Sequence, residues 1–269
     1  MICDMNPIKH YLESLGILNG LKDLNDIKKL IKAHLSTFPF TSISVLLERE
    51  LSLELQDLVN KIVDRREGGY CFEHNKLIYE ALLYYGFDVK PLFARVLNNQ
   101  NIVSAKTHRS TLLTINNEAY IVDVGFSFLS PSMPIKFGSE PTVSDLGTLY
   151  IINKADDDTF LLEIIQEDEL YTLYSFDMHN YNEMDFEVGH FYSYKHPKAN
   201  FVNNLVISRI LDDKILSLRN NTYHIIDADA KEEITIKTYL QLKTILESDF
   251  DYHVKDDDLK YLYEKFVLV

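Results

Sequence analysis

The sequence is short of several things, and each shortage narrows the reading. It has 2 cysteines in 269 residues, Cys3 and Cys71. Two are too few for a disulfide framework, and a chain of this length needs none to hold its core. Such economy suits a reducing cytoplasm, the expected compartment, where Cys71 stays a free thiol. Positive charge is scarce as well: 27 Lys and Arg stand against 41 Asp and Glu, a formal net charge of −14. So acidic a chain is a poor partner for nucleic acid, whose phosphates want a basic face. No apolar run approaches the roughly 20 residues of a membrane span. The start, MICDMNPIKHYL, has neither the basic opening nor the apolar stretch of a signal peptide. No nucleic-acid or membrane partner is expected. There is no GxGxxG, no P-loop and no HExxH, and Cys71, Glu73 and His74 have no second ligand pair at zinc spacing. No metal is expected. Repeats, low-complexity tracts and long linkers are also missing.

What remains is an ordinary globular composition, 46% apolar and 25% charged. Its most informative stretch is Arg65 to Asn75, RREGGYCFEHN. Two glycines run into Tyr70 and Cys71, and then Phe72, Leu77, Ile78, Ala81, Leu82 and Tyr85 recur at helical spacing until Gly86. That pattern predicts a tight turn delivering Cys71 to the first turn of a helix. Backbone N–H groups there lack intrahelical partners and favour a thiolate, the form that attacks carbonyl carbon. A merely buried cysteine needs no such turn. Cys71 is the candidate nucleophile.

The rest of the chain divides into three regions. Residues 1–87 read as helices, over 6–16, 25–35 with Asn25 as cap, 55–63 and 71–85. His34 falls in the apolar stripe of the second and reads as a packed histidine. After Gly86 the period changes to two. Residues 88–185 hold alternating runs at 89–97, 108–115, 119–124, 149–153, 160–166 and 170–176, an antiparallel sheet curled into a barrel. Residues 186–269 mix strands at 204–210, 215–219, 223–226 and 233–237 with helices at 238–247 and 257–266. The fold class is α+β: helical bundle, central antiparallel β-barrel, α/β lid.

A cysteine nucleophile needs a base, and the base needs an orienter. Asn116-Asn117 lies between two alternating runs and suits a two-residue hairpin turn, because Asn tolerates positive φ. Residues whose numbers sum to 233 then face each other, so Ser110 faces Asp123 and His108 shares its face. His108 and Asp123 become diagonal neighbours, roughly 7–8 Å apart at their α-carbons. Asp123 sits in the apolar run IVDVGF, where an unpaired carboxylate would be expensive. An imidazole N–H is its natural partner, and the expected catalytic set is Cys71, His108 and Asp123.

With those residues placed, the chain resembles the arylamine N-acetyltransferases. GGYCFE, the THR segment at 107–109 and VDVGF occur in that family's order. FPF (38–40), DFEVGHFY (185–192) and HPKANFVNNLVISR (196–209) extend the resemblance over nearly the whole chain. It implies a three-region cysteine transferase with its site between bundle and barrel. It implies acetyl-CoA as co-substrate, and acetylation of aromatic amines or hydrazines through an acetyl-cysteine thioester, with O-acetylation of N-hydroxyarylamines as a related reaction. By the same resemblance Phe40, Val96, Phe126 and Phe201 would line the acceptor pocket, and the backbone N–H groups of Cys71 and Thr107 would meet the oxyanion. Coenzyme A needs positive charge, for which Arg95, Lys106, Arg109, Lys195, Lys198 and Arg209 are the candidates. Two positions depart from the family pattern: Thr41 stands where the family has Glu after PF, and Glu67 where it has Arg before GG. If those two family residues pair behind the nucleophile, something else must support the turn here, and Arg65 and Arg66 are near enough to do so. Three other readings stay open: an amide synthase of the same fold using a carrier-bound acyl chain, a transglutaminase-like or papain-like thiol hydrolase, and a non-enzymatic binding protein that retains an inert triad.

Overall fold

The computed structural model describes residues 6–268; Cys3 lies outside the described residues. The chain opens with α1 (Pro7–Ser14) and α2 (Leu24–Thr37). Asn6 caps α1 by accepting from the N–H groups of Ile8 and Lys9, with Pro7 at the first helical position. The cap of α2 is Asp23, not Asn25: its carboxylate accepts from Asn25 and Asp26. After Pro39 comes a two-residue strand, β1 (Phe40–Thr41), then α3 (Ile43–Leu46) and α4 (Leu55–Val59), which continues through a π-turn at Asn60–Asp64. The nucleophile helix α5 spans Cys71–Tyr84. Ile31, Leu58, Ile62, Phe72, Leu77 and Leu82 form the core around it. Burying a side chain such as Phe72 contributes roughly 2–3 kcal/mol.

Within this bundle three side chains form one hydrogen-bonded line. His74 Nε2 donates to the Pro39 carbonyl at 3.2 Å, so its Nδ1 accepts from His34 Nε2 at 2.7 Å, and His34 Nδ1 accepts from the Tyr11 hydroxyl at 2.7 Å. Every member is buried. Burial pushes both histidines down: His34 well below its ordinary value, and His74 to about 4, where burial outweighs the opposing charge of Glu73. Both are neutral, satisfied core histidines.

The middle of the chain is one eight-stranded antiparallel sheet: β2 (Asp88–Val96), β3 (His108–Ile115), β4 (Glu118–Val122), β5 (Ile135–Lys136), β6 (Gly138–Val143), β7 (Leu149–Lys154), β8 (Thr159–Gln166) and β9 (Glu169–Asp177). The order is β5-β4-β3-β2-β9-β8-β7-β6, and β5 also approaches β7, which makes the sheet barrel-like. Its interior holds Leu92, Ile121, Ile152, Leu162, Leu173 and Phe176. α6 (Glu183–Lys195) then packs on the barrel. Gly189 permits this, because a Cβ there would lie 2.5 Å from the Phe93 ring. After α7 (Asn200–Asn203) come β10 (Val206–Ile210), β11 (Ile215–Arg219), β12 (Thr222–Ile226) and β13 (Lys231–Thr235), followed by α8 (Tyr239–Ser248) and α9 (Asp256–Leu262). These four strands form a second antiparallel sheet whose fifth strand is β1, paired Phe40 to Ser208 and Thr41 to Ile207. No described helix is long and apolar enough to cross a membrane.

Candidate active site

The turn before Cys71 is fastened to β1. Thr41 N–H donates to the Gly69 carbonyl at 2.6 Å, and Gly69 N–H donates to Pro39 at 3.3 Å. Gly68 has φ +59°, and a Cβ on it would lie 2.4 Å from the Pro39 oxygen. Only glycine fits there. Glu73, fully buried, accepts from Tyr70 N–H at 3.1 Å and pairs with Lys61 at 2.5 Å. This ion pair braces the turn. Glu67 faces away from it, bridging to Arg49 at 3.3 Å and Arg65 at 3.1 Å, while Arg66 stacks over Phe38. Thr41 Oγ1 accepts from Ile43 N–H at 3.1 Å and opens α3.

On the barrel side, Asn116 and Asn117 have φ of 53° and 62°, a turn with both central residues left-handed, and the register is the expected one: Thr111 faces Val122 and Leu112 faces Ile121. His108 Nε2 donates to Asp123 Oδ2 at 2.6 Å, leaving Nδ1 as the second ring nitrogen. Asp123, 0% exposed, accepts three more hydrogen bonds: Asn75 Nδ2 at 2.8 Å and Gly125 N–H at 2.9 Å on Oδ1, and the Tyr174 hydroxyl at 2.9 Å on Oδ2. Burial alone would raise this carboxyl. The adjacent His108 and the donors from Asn75 and Gly125 outweigh it and hold the group below the usual carboxylate range.

Asn75, Tyr174 and Gly125 went unread in the sequence. Asn75 had a signal, since it lies four residues after Cys71 on the same helical face. Its amide also donates to the Arg109 carbonyl at 2.5 Å and accepts from Val124 N–H at 2.9 Å, which ties α5 to the barrel. Gly125 lies against the nucleophile helix: a Cβ would come 2.5 Å from Asn75 Nδ2 and 2.7 Å from Cys71 Cα. Tyr174 arrives from β9 and had no local signal.

Cys71 and His108 line one cavity of about 540 Å³. Phe40, Val96, Phe126, Phe201 and Thr107 line it too. Phe126 meets His108 edge to face, with centroids 5.1 Å apart. The Cys71 thiol donates to the Thr107 carbonyl at 3.5 Å. Burial pushes that thiol up and the Asp123 charge adds to the effect, whereas the N–H groups of Phe72 and Arg109 pull it down. Turn and helix terminus alone do not make a thiolate. A thiolate here needs a positive partner, and His108 lines the same cavity. A second correction concerns Thr107: its N–H donates to Ala94 at 3.0 Å, so that group belongs to the strand pairing and is not free to meet an oxyanion.

Most of the candidate basic residues are engaged elsewhere. Arg95 donates to Ser104 O, Lys106 pairs with Asp177 at 2.5 Å, and Arg109 holds Glu183 through two bonds of 2.9 Å. Arg209 donates to Ser36 O at 2.6 Å, and Lys195 stacks over Tyr194. Of the six, Lys198 lines the cavity; Arg219, unread in the sequence, joins it. Among the described residues no group of three or more His, Cys, Asp or Glu is arranged to hold a metal.

This architecture has close counterparts. A family profile described as N-acetyltransferase matches residues 23–259. An arylamine N-acetyltransferase / N-hydroxyarylamine O-acetyltransferase of Salmonella typhimurium is 30% identical over 88% of this chain and 85% of its own. The arylamine N-acetyltransferase of Escherichia coli is 29% identical over 98% and 96%. Among solved structures, a Salmonella typhimurium arylamine N-acetyltransferase superposes with a TM-score of 0.90 at 26% identity, covering 97% of this chain and 99% of that one. A Mycobacterium marinum arylamine N-acetyltransferase in complex with CoA gives 0.89 at 26% identity, over 96% and 99%. The chain is an N-acetyltransferase by fold and profile, and it belongs to the arylamine N-acetyltransferase family.

Proposed function

We propose that the protein acetylates aromatic amines and hydrazines from acetyl-CoA in two half-reactions through Cys71, with His108 and Asp123 completing the catalytic set. The observation that carries this reading is the line from cavity to buried acid: a thiol and an imidazole share one cavity wall, and that imidazole donates at 2.6 Å to a carboxylate held ionised by three further donors. In the first half-reaction Cys71 Sγ attacks the acetyl carbonyl while its proton passes to His108 Nδ1. The C–S bond to CoA then breaks, and His108 returns the proton to the departing thiol. In the second, the amine nitrogen attacks the acetyl-cysteine, His108 removes its proton, and Cys71 leaves. Asp123 fixes the tautomer through Nε2 and stabilises the imidazolium as it forms. The Cys71 N–H, in the first turn of α5, is the oxyanion donor of this scheme. Phe40, Phe126 and Phe201 would hold a flat ring, with Val96 beside them, and N-hydroxyarylamines would be acetylated on oxygen in the same position. The test is mass spectrometry of the protein mixed with acetyl-CoA alone. One added acetyl on the peptide containing Cys71, lost when an arylamine is added, is the expected result. Absence of that adduct overturns the scheme.

A further inference from the structure

The cavity differs in charge from the molecule that surrounds it. The chain carries 41 acidic residues against 27 basic ones. Yet among the described residues no aspartate or glutamate lines this cavity, and two cations do, Lys198 and Arg219. Both are exposed to solvent, and neither pairs with a described carboxylate. Arg219 Nη2 donates instead to a neutral oxygen, Asn200 Oδ1, at 3.2 Å, which orients the guanidinium and leaves most of its donors unused. Both cations stand on braced backbone. Lys198 N–H donates to His196 Nδ1 at 3.2 Å, and Asn203 Nδ2 donates to the carbonyls of Pro197 and Ala199 at 2.8 Å, pinning the residues on either side of Lys198. Arg219 ends β11, in register with Val206 on one neighbour and Thr222 on the other.

Two positioned cations in an acid-free concavity focus positive potential where the rest of an acidic surface would repel an anion. An ammonium offers a point charge and a guanidinium a planar fork, a combination suited to phosphate oxygens. We infer that Lys198 and Arg219 anchor the phosphate groups of the acyl donor, so that the cavity selects phosphorylated thioesters over phosphate-free ones. The inference rests on the acetyl-transfer reading for the donor's identity, while the anchoring itself can be read from binding alone.

The experiment compares the full chain with the double variant Lys198→Ala/Arg219→Ala and the charge-keeping variant Lys198→Arg/Arg219→Lys. Calorimetry with CoA should show Kd rising about tenfold or more in the alanine variant and mostly restored in the charge-keeping one. Raising salt from about 0.05 to about 0.5 M should weaken CoA binding to the unmodified protein and much less to the alanine variant. In turnover, the ratio of kcat/KM for acetyl-CoA to that for S-acetylpantetheine, which lacks phosphate, should fall by about tenfold. An unchanged Kd for CoA overturns the inference, as does an equal loss with both donors. If CoA binding depends on the pair but Cys71 takes up no acetyl group, the anchoring stands and the acetyl-transfer reading falls.

Discussion

Two buried histidine systems lie near the nucleophile, one of them including His74 of the nucleophile helix itself, and they differ although burial treats them alike. His34 and His74 in one system and His108 in the other are each at most 1% exposed. The first pair ends on a neutral backbone carbonyl, Pro39 O; Glu73 favours a positive charge on His74, but burial outweighs it and both rings are held neutral. His108 ends on Asp123, a carboxylate kept ionised by its surroundings. The two systems differ in what lies at the end of the hydrogen bond, a neutral carbonyl in one and an ionised carboxylate in the other.

Replacing Asp123 by Asn would turn the second system into a copy of the first. The amide reverses the hydrogen-bond polarity at His108 Nε2, and acetylation of an arylamine should fall by about 10³–10⁴-fold. Urea titration should also show a loss of ~1–3 kcal/mol, because Asn75, Gly125 and Tyr174 would share a poorer acceptor. A variant of normal rate would remove the orienting role.

Cys71 alkylation probes the same contrast from the sulfur side. In the unmodified protein the rate with iodoacetamide should rise with a midpoint well below the ~8.5 of a free thiol. In His108→Gln no imidazole can keep the proton, and burial and the Asp123 charge dominate. The midpoint should move above that of a free thiol, with the rate at neutral pH down by about a hundredfold. Equal rates in the two proteins would separate His108 from the thiol.

The neutral pair has its own signature in stability against pH. Its folded pKa values lie below the unfolded ~6.5, so the unfolded chain binds more protons as pH falls. This contribution is complete above pH ~6.5 and should decline toward about 4, where His74 titrates in the folded protein, by roughly 1.4 kcal/mol per pH unit for each histidine. Asp123 adds a loss only at lower pH, since its folded value is depressed below the ordinary ~3.9. His74→Gln can keep both hydrogen bonds without titrating and should roughly halve the slope. Stability that stays flat across this window would show that neither ring is held neutral by the fold.

Glu67 gives the smallest effect. Its partners Arg49 and Arg65 have side chains 35% and 54% exposed. Pairs so open to solvent contribute ~1 kcal/mol or less, and Glu67→Gln should change stability by no more than that and leave the rate alone. A large loss of activity would mean that the turn leans on Glu67 and not on Lys61–Glu73.

The β3–β4 hairpin was legible in the sequence because its determinants are local: two adjacent asparagines set the turn, the turn set the register, and the register put His108 beside Asp123. The glycine turn before Cys71 was legible for the same reason. Helix α6 was not. Its buried face is Phe186, Gly189, His190 and Ser193, while Met184, Val188, Phe191 and Tyr192 face outward. A helix that packs through small and polar residues reverses the pattern by which helices are recognised. Strand β1 escaped too, since two residues carry no periodicity and its partner lies near residue 208. Arg219 had no motif to mark it. Only the folded cavity separates it from cations already bound to internal partners.

The pairing of β1 bears on the order in which the enzyme is made. The turn that presents Cys71 hangs on Pro39 and Thr41, and Phe40 and Thr41 are held from the other side by Ser208 and Ile207. Those anchors are separated by the entire barrel in sequence, and contacts so distant close late in folding. A ribosome-bound chain that has just released its helices already carries the cysteine, but the strand behind that cysteine has no partner until β10 emerges. The turn that presents Cys71 is thus among the last parts of this polypeptide to be held from both sides.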